Sequence, residues 1–217
     1  MKKELFKRIL SSIFIIPVVF IIIVKGSFIL NFFLFLCLCL SVFEWHNMMK
    51  KKLYYYLGIF FLTFSFYTAY KLYNLNNNYT YFVFVMLVCI FTDIGGYVFG
   101  NIFKGPKLST ISPNKTYAGA IGGFILAILS VFLFFKISYL TSDQFLFSYK
   151  LFLIAILISL VSQLGDIAIS YFKRLNHRKD TGRIIPGHGG LLDRIDGMIF
   201  AFPFAYIILS TNFFAVL

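Results

Sequence analysis

The sequence predicts an all-α, polytopic integral membrane protein of about seven transmembrane helices, within a range of six to eight. Of its 217 residues, 60% are hydrophobic and only 13% are charged, whereas a soluble domain carries roughly 25% charged residues. The apolar residues also fall into long runs, and a helix needs about 20 such residues to cross a bilayer. We therefore predict a single membrane domain over residues 1–217.

Seven apolar runs mark the predicted spans in chain order. They occupy about 9–24, 28–43, 53–70, 79–100, 117–135, 151–170 and 194–213. The first run follows four cations in residues 2–8 and so resembles a signal peptide, but no Ala-x-Ala-like site follows it, which favours a first span. The first two runs are short, and a tight hairpin around Lys25-Gly26-Ser27 would reduce the count to six.

The net charge of +12 is explained by membrane topology, and no basic stretch with interleaved aromatic residues indicates nucleic acid. With a cytoplasmic N-terminus, sixteen of the twenty Lys and Arg residues fall in cytoplasmic loops: four in 2–8, three in 50–52, three in 104–115 and six in 173–194. Such an excess is what the positive-inside rule predicts. The two large polar loops, 101–116 and 171–193, are then cytoplasmic.

These loops divide the chain into N-terminal spans, residues 1–78, and predicted catalytic spans, residues 79–217. The N-terminal part offers few polar groups. Glu44-Trp45-His46 is interpreted as an interfacial anchor, because aromatic residues collect at the membrane surface. The stretch from Asn74 to Asn78 is interpreted as a short external loop.

Acidic residues concentrate near the cytoplasmic ends of the last spans. Five of the eight in the chain are there: Asp93, Asp166, Asp180, Asp193 and Asp196. An ionised carboxylate at the bilayer centre costs a few kcal/mol on insertion scales, so Asp93 and Asp166 must face a partner, water or a cation. A buried structural pair is the alternative, but the concentration of acids favours a functional site.

Asp193 and Asp196 are three residues apart where the last helix is expected to begin, which places them on one helix face. Two carboxylates on one face repel each other, and a divalent cation relieves that repulsion. Mg²⁺ favours sites built from one or two carboxylates and substrate phosphates. Capping of the helix N-terminus by acidic residues is the alternative.

Basic residues and glycines are interleaved with these acids. The basic residues are Lys173, Arg174, His177, Arg178, Lys179, Arg183 and Arg194. A loop that only sets topology beside anionic lipid would also be basic. It would not need Pro186-Gly187-His188-Gly189-Gly190, in which glycines let the backbone approach a phosphate and present N–H groups to it. For His188, hydrogen bonding or positioning is at least as well supported as acid–base catalysis.

The loop 101–116 ends in a second polar run, Ser112-Pro113-Asn114-Lys115-Thr116, directly before a predicted helix. Because helix N-termini bind anions, Lys115 and Thr116 are candidates for holding a phosphate. A plain Ser or Thr cap would give the same pattern.

Taken together, these residues resemble a known enzyme signature. Gly165-Asp166, Ser170, Lys173-Arg174, Lys179-Asp180, Pro186-Gly187-His188-Gly189-Gly190 and Asp193-Arg194-Ile195-Asp196 resemble the C-terminal signature of phosphatidate cytidylyltransferases, the CDP-diacylglycerol synthases. Asp93, Tyr97, Gly100 and the run 112–116 extend the resemblance, which covers about residues 90–200.

The resemblance implies that the protein makes CDP-diacylglycerol and pyrophosphate from CTP and phosphatidate. It implies that Asp166, Asp193 and Asp196 hold Mg²⁺, with a second, monovalent cation possible, and that Lys173, Arg174 and Arg194 stabilise the remaining negative charge. Substrate contacts are then expected from Asp93, Ser112, Lys115, Thr116, Ser170, Lys179, Asp180, Gly187, His188, Gly189 and Gly190. The expected setting is a bacterial inner membrane, among membrane lipids, with the site facing the cytoplasm and a homodimer as the assembly.

Three departures from the family pattern and two rival functions bear on this expectation. Ile169 and Ala118 stand where Glu is common in the family, and Asn101 stands where Arg is common. A CTP-dependent lipid kinase would use similar groups but would form CDP and a lipid phosphate. An ion-coupled transporter would place its charged groups near the bilayer midplane, whereas these cluster at one face.

Overall fold

Helices form the regular structure of the chain in the computed structural model. The structure describes residues 18–19, 21–23, 25–49, 52–75, 79–109, 112, 115–140, 149–182, 184 and 189–211. In these ranges the helices are α1 (Ser27–Met48), α2 (Lys52–Tyr73), α3 (Thr80–Phe103), α4 (Tyr117–Leu140), α5 (Tyr149–Leu175), α6 (Leu192–Ile195) and α7 (Met198–Ser210). The same ranges contain no strand, and an isolated antiparallel bridge pairs Lys107 with Thr116. The all-α prediction is confirmed.

Four of these helices are long and apolar enough to cross a membrane, which makes the chain an integral membrane protein. They are α1 over Phe28–Met48, α3, α4 over Tyr117–Lys136, and α5. The 22-residue α2 coincides with the run predicted at 53–70 but is not among the four. The first predicted span, 9–24, lies mostly outside the described residues, so the count of seven and the orientation stay predictions.

The last predicted span is not one helix. Within 194–213, α6 ends at Ile195, Asp196 and Gly197 form a turn, and α7 begins at Met198 and runs for 13 residues. The turn packs closely on α5, because a Cβ atom at Gly197 would lie 3.0 Å from the carbonyl oxygen of Ser162 and closer still to its hydroxyl. The expectation that Asp193 and Asp196 share one face of a single helix is therefore wrong.

The chain divides into two compact units, the first made of Met1–Tyr70 and Phe172–Ile195, the second of Lys71–Tyr171 and Asp196–Leu217. In the first, the buried Trp45 ring meets Phe172 edge-on at 5.3 Å between centroids. Its Nε1 donates to the carbonyl of Tyr55 at 3.2 Å. Gly58 lies so close to this indole that a side chain would collide with it. Trp45 thus joins α1, α2 and the C-terminal end of α5. A single membrane domain divided at residue 78 stays a prediction.

In the second unit, glycines let α3 and α4 approach each other closely. A Cβ atom at Gly119 would lie 2.7 Å from the carbonyl oxygen of Gly96. Small residues at such interfaces allow helix backbones to pack directly in membranes. The hydroxyl of Thr92 donates to that of Ser159 at 2.9 Å, which ties α3 to α5.

Two adjacent glycines of α3 provide a matched test of this packing. A Cβ atom at Gly95 would lie 2.7 Å from the carbonyl carbon of Gly122, whereas one at Gly96 would have its nearest neighbour at 3.9 Å. We expect Gly95→Ala to destabilise the protein by about 1–3 kcal/mol through overpacking. Thermal unfolding in detergent should show a lower midpoint for Gly95→Ala than for Gly96→Ala. Equal midpoints would contradict the close approach of α3 and α4.

Candidate active site

Backbone hydrogen bonds close the loop that precedes α4. The amide of Leu108 donates to the carbonyl of Lys115 at 2.8 Å, and the amide of Lys115 donates to that of Ser112 at 3.0 Å. The hydroxyl of Thr116 accepts the amide of Gly119 at 3.1 Å, which caps the first turn of α4. The Thr116 hydroxyl therefore acts as a helix cap, which was the alternative interpretation of the sequence. The loop also places Lys115 in contact with α5.

The pair formed by Lys115 and Asp166 is the central ionic contact of the second unit. The ammonium lies 2.5 Å from Oδ2 of Asp166, with both side chains about one quarter exposed. The same ammonium donates to the carbonyl of Gln163 at 3.4 Å, and the Ser170 hydroxyl donates to Oδ1 of Asp166 at 3.4 Å. Residues 163, 166 and 170 share one face of α5 by their helical spacing. The sequence predicted that Asp166 would need a partner, water or a cation, and in the structure its partner is Lys115 from the loop before α4.

Two further predicted acids belong to the second unit. Asp196 is buried in the turn between α6 and α7, where its Oδ1 accepts the amide of Gly197 at 2.9 Å. Asp93 lies on α3 with an exposed side chain. The substrate contact of Asp93 stays a prediction.

Asp193 is the centre of the polar cluster in the first unit. Its Oδ1 lies 2.9 Å from the ammonium of Lys173, and both side chains are largely buried. Its Oδ2 accepts the amides of Thr181 at 2.9 Å and Gly190 at 3.0 Å. A buried carboxylate needs such partners to offset its lost hydration. Asp193 therefore joins the end of α5 to both ends of the segment 181–190.

A second carboxylate, Glu44 of α1, binds Thr181 of this segment and the two residues that follow the segment. It is 2% exposed and accepts hydrogen bonds from the Thr181 hydroxyl at 3.0 Å and from the amides of Leu191 and Leu192, each at 2.8 Å. The interpretation of Glu44-Trp45-His46 as an interfacial anchor is wrong for Glu44 and for the buried Trp45. His46 is exposed, with its Nδ1 3.1 Å from the hydroxyl of Tyr55.

Two glycines of the signature, Gly189 and Gly190, lie against these carboxylates. Gly189 has a φ of 85°, in the region that favours glycine. A Cβ atom at Gly190 would lie 2.7 Å from Cδ of Glu44, and the Gly190 amide is already bound to Asp193. The need for glycine at 190 thus follows from packing. Gly187 and His188 lie outside the described residues, so their roles stay predictions.

The remaining predicted charged groups of the first unit are exposed, namely Arg174, Lys179, Asp180 and Arg194. Arg174 donates to the carbonyl of Arg178 at 3.1 Å, which closes the turn after α5. His177 in this turn has a positive φ of 54°. The side chains of Arg174, Arg178 and Lys179 are thus exposed on the first unit.

Metal binding was predicted at Asp166, Asp193 and Asp196. Within the described ranges, no three His, Cys, Asp or Glu side chains form a group that could hold a metal ion. The donor chemistry nevertheless fits Mg²⁺, because carboxylate oxygens are hard ligands and Mg²⁺ completes its shell with water and substrate phosphates. The assignment stays a prediction, and Asp166 and Asp193 each have a lysine as their present cationic partner.

Comparison with known proteins adds an independent observation. Residues 52–212 match the model of the cytidylyltransferase family. The phosphatidate cytidylyltransferase of Staphylococcus haemolyticus is 44% identical over 132 residues, which cover 59% of this chain and 48% of that protein. The Rickettsia bellii protein of the same name is 38% identical over 95% of this chain and 91% of its own length. That of Rickettsia typhi is 34% identical over 93% and 90%. The chain thus spans about half of the staphylococcal relative and nearly all of the rickettsial ones.

Proposed function

Because the chain belongs to the cytidylyltransferase family, we propose that it transfers the cytidylyl group of CTP to phosphatidate. A phosphate oxygen of phosphatidate attacks the α-phosphorus of CTP, the bond from that phosphorus to the α,β-bridging oxygen breaks, and pyrophosphate leaves. The lipid product is CDP-diacylglycerol. The observation that carries the proposal is the family match over residues 52–212, a range that includes every site residue predicted from the sequence.

In this proposal, two lysines held by carboxylates provide fixed positive charge for the phosphates. Lys115 is positioned by Asp166, and Lys173 is positioned by Asp193. Phosphoryl-type transfer depends mostly on positioning and electrostatic stabilisation, so a cation whose place is fixed before substrate arrives is effective. The exposed Arg174 and Arg194 then contact the outer phosphate oxygens.

The carboxylates have a second proposed role. Asp166, Asp193 and Asp196 are the oxygen donors that would hold Mg²⁺ beside the substrate phosphates. When bound, Mg²⁺ supplies neutralisation of the phosphate charge. Because Asp166 and Asp193 also hold lysines, each balances a positive charge within its own unit whether or not a cation is present.

The membrane setting suits this reaction, since a lipid phosphate and a water-soluble triphosphate must meet at a membrane surface. We place the site at the cytoplasmic face of a bacterial inner membrane, and the proposed assembly is a homodimer. The excess of Lys and Arg in the loops that alternate with the predicted spans supports this orientation. The relatives named above all come from bacteria.

Incubation of the purified, detergent-solubilised protein with phosphatidate, Mg²⁺ and CTP labelled at the α-phosphate tests the function. We expect label in the lipid phase, with an equal amount of pyrophosphate released and no transfer in EDTA. Labelled CDP without labelled lipid would instead indicate a lipid kinase. Absence of any lipid label under these conditions would reject the proposal.

A further inference from the structure

We propose that Glu44 is a positioning residue, which holds the two ends of the segment 181–192 and thereby sets the rate of the reaction without touching the substrates. The catalytic part of this role rests on the proposed function. The described residues of the segment are 181–182, 184 and 189–192, and the contacts with Glu44 involve its two ends. Glu44 itself lies on α1, far from the signature in sequence.

Both carboxylate oxygens of Glu44 are engaged by the segment. Oε1 accepts the amide of Leu191, while Oε2 accepts the amide of Leu192 and the hydroxyl of Thr181. Bonds of this kind, to an ionised acceptor, are stronger than those between neutral groups. One side chain of α1 therefore holds the beginning and the end of the segment at the same point.

Burial makes this arrangement obligatory. Glu44 is 2% exposed, and an ionised carboxylate removed from water is strongly unfavourable unless hydrogen bonds replace its hydration. The donors that replace it come from the segment, so the carboxylate and the segment each require the other. A residue that only anchored α1 at the membrane surface would keep its charge in water.

Close contacts around the Glu44 carboxylate indicate that it positions other residues and does not itself bind substrate. A Cβ atom at Gly182 would lie 2.7 Å from Oε1 of Glu44, and one at Gly190 would lie 2.5 Å from Oε2. The backbone thus encloses the carboxylate on two sides and leaves no room beside it for a phosphate. Glu44 must act through its neighbours.

The path from Glu44 to the proposed chemistry is short. Thr181 donates its hydroxyl to Glu44 and its amide to Asp193, and Asp193 binds Lys173. Displacement of Thr181 would therefore change the position of Asp193 and of the lysine that Asp193 holds. All of these residues belong to the first unit.

The variant Glu44→Gln tests the proposal with little change in shape. In one orientation the side-chain NH₂ group of Gln would face the amide N–H of Leu191, and in the other it would face that of Leu192. One contact between two donors is therefore unavoidable. We expect kcat to fall about 10- to 100-fold, as for loss of a hydrogen bond to a charged group, with the KM for CTP changed less than about threefold. Glu44→Asp keeps two acceptor oxygens and should retain more activity. Asn47→Ala, an exposed position at the same end of α1, is the matched control with unchanged kcat.

Limited trypsin digestion provides a readout that does not depend on activity. Cleavage after Lys179, which is exposed beside the segment, should be several times faster in Glu44→Gln than in the wild type, because local opening exposes the backbone. If the wild-type protein made no CDP-lipid, the proposed function would fail, while this measurement would still decide whether Glu44 holds the segment. A wild-type cleavage rate in Glu44→Gln, or a wild-type kcat per folded molecule, would overturn the proposal.

A second pair of variants covers the case in which Glu44→Gln does not fold. Thr181→Val removes the hydroxyl donor at nearly constant volume, and Thr181→Ser keeps it. We expect Thr181→Val to lower kcat and accelerate cleavage after Lys179, and Thr181→Ser to do neither. Where Glu44→Gln folds, the double variant Glu44→Gln/Thr181→Val should show a smaller fold-decrease in kcat than the product of the two single decreases, because the two residues share a contact. Equal behaviour of Thr181→Val and Thr181→Ser would overturn the proposal.

Discussion

Asp193→Asn is expected to lower kcat about 10³-fold, as removal of a fixed electrostatic group at a reacting centre does. Asp193 binds the Lys173 ammonium on Oδ1 and the amides of Thr181 and Gly190 on Oδ2. The amide group of Asn would face either the ammonium or the two backbone donors, whichever way it is oriented. The buried Lys173 would also lose its counterion, and the proposed Mg²⁺ site would lose a carboxylate.

Turnover of the purified variant, with CTP and Mg²⁺ each varied, measures this effect. Membrane insertion should be unaffected, because the apolar runs that direct it are unchanged. Asp143→Asn makes the same chemical change in the loop between the predicted spans 117–135 and 151–170, and it should retain wild-type turnover. Normal turnover of Asp193→Asn would remove Asp193 from the site.

The helices were predictable because hydropathy is a local property of the sequence. The runs at 79–100, 117–135 and 151–170 coincide with α3, α4 and α5. The hydropathy of the residues within each run was enough to predict the helix. The break between α6 and α7 was not predictable in this way. It accompanies the close contact of Gly197 with Ser162, residues that are distant in sequence and carry no shared local pattern.

Glu44 shows which part of a site the sequence leaves out. The bilayer argument that singled out Asp93 and Asp166 applies equally to an acid at the end of the run 28–43, so a signal was present. The partners of Glu44 were not predictable, because Thr181 and Leu192 lie more than 130 positions further along the chain. An adjacent tryptophan and histidine favoured the simpler interfacial interpretation.

The pair of Lys115 and Asp166 is an intermediate case. Each residue was selected from its own surroundings, Lys115 as a phosphate ligand and Asp166 as an acid that needs a partner. The sequence did not connect them, because a helix N-terminus and a mid-helix acid give no information about which loop reaches which helix. The folded chain supplies that connection at 2.5 Å, and it makes Lys115 part of the proposed charge balance as well as a candidate ligand.

Lys115→Met is expected to reduce kcat/KM by about 10²- to 10³-fold, because it removes the cation that Asp166 holds in place. Both members of the pair are about one quarter exposed, and partly exposed ion pairs contribute little to stability. The thermal unfolding midpoint should therefore change little while activity falls. Lys115→Arg keeps the charge but not the compact ammonium, and we expect intermediate activity for it.

Lys107→Met is the matched control, because Lys107 lies in the same loop with an exposed side chain and the same charge is removed. It should keep most of the wild-type kcat/KM. Equal losses in the two variants would show that the loop contributes only a general positive field, which acts over a Debye length of about 10 Å at 0.1 M salt. Repeating both at high salt separates the explanations, since a general field is screened whereas the contact of Lys115 with Asp166 and a bound phosphate is screened much less. A difference between Lys115→Met and Lys107→Met that persists in salt would therefore assign the effect to the position of the ammonium.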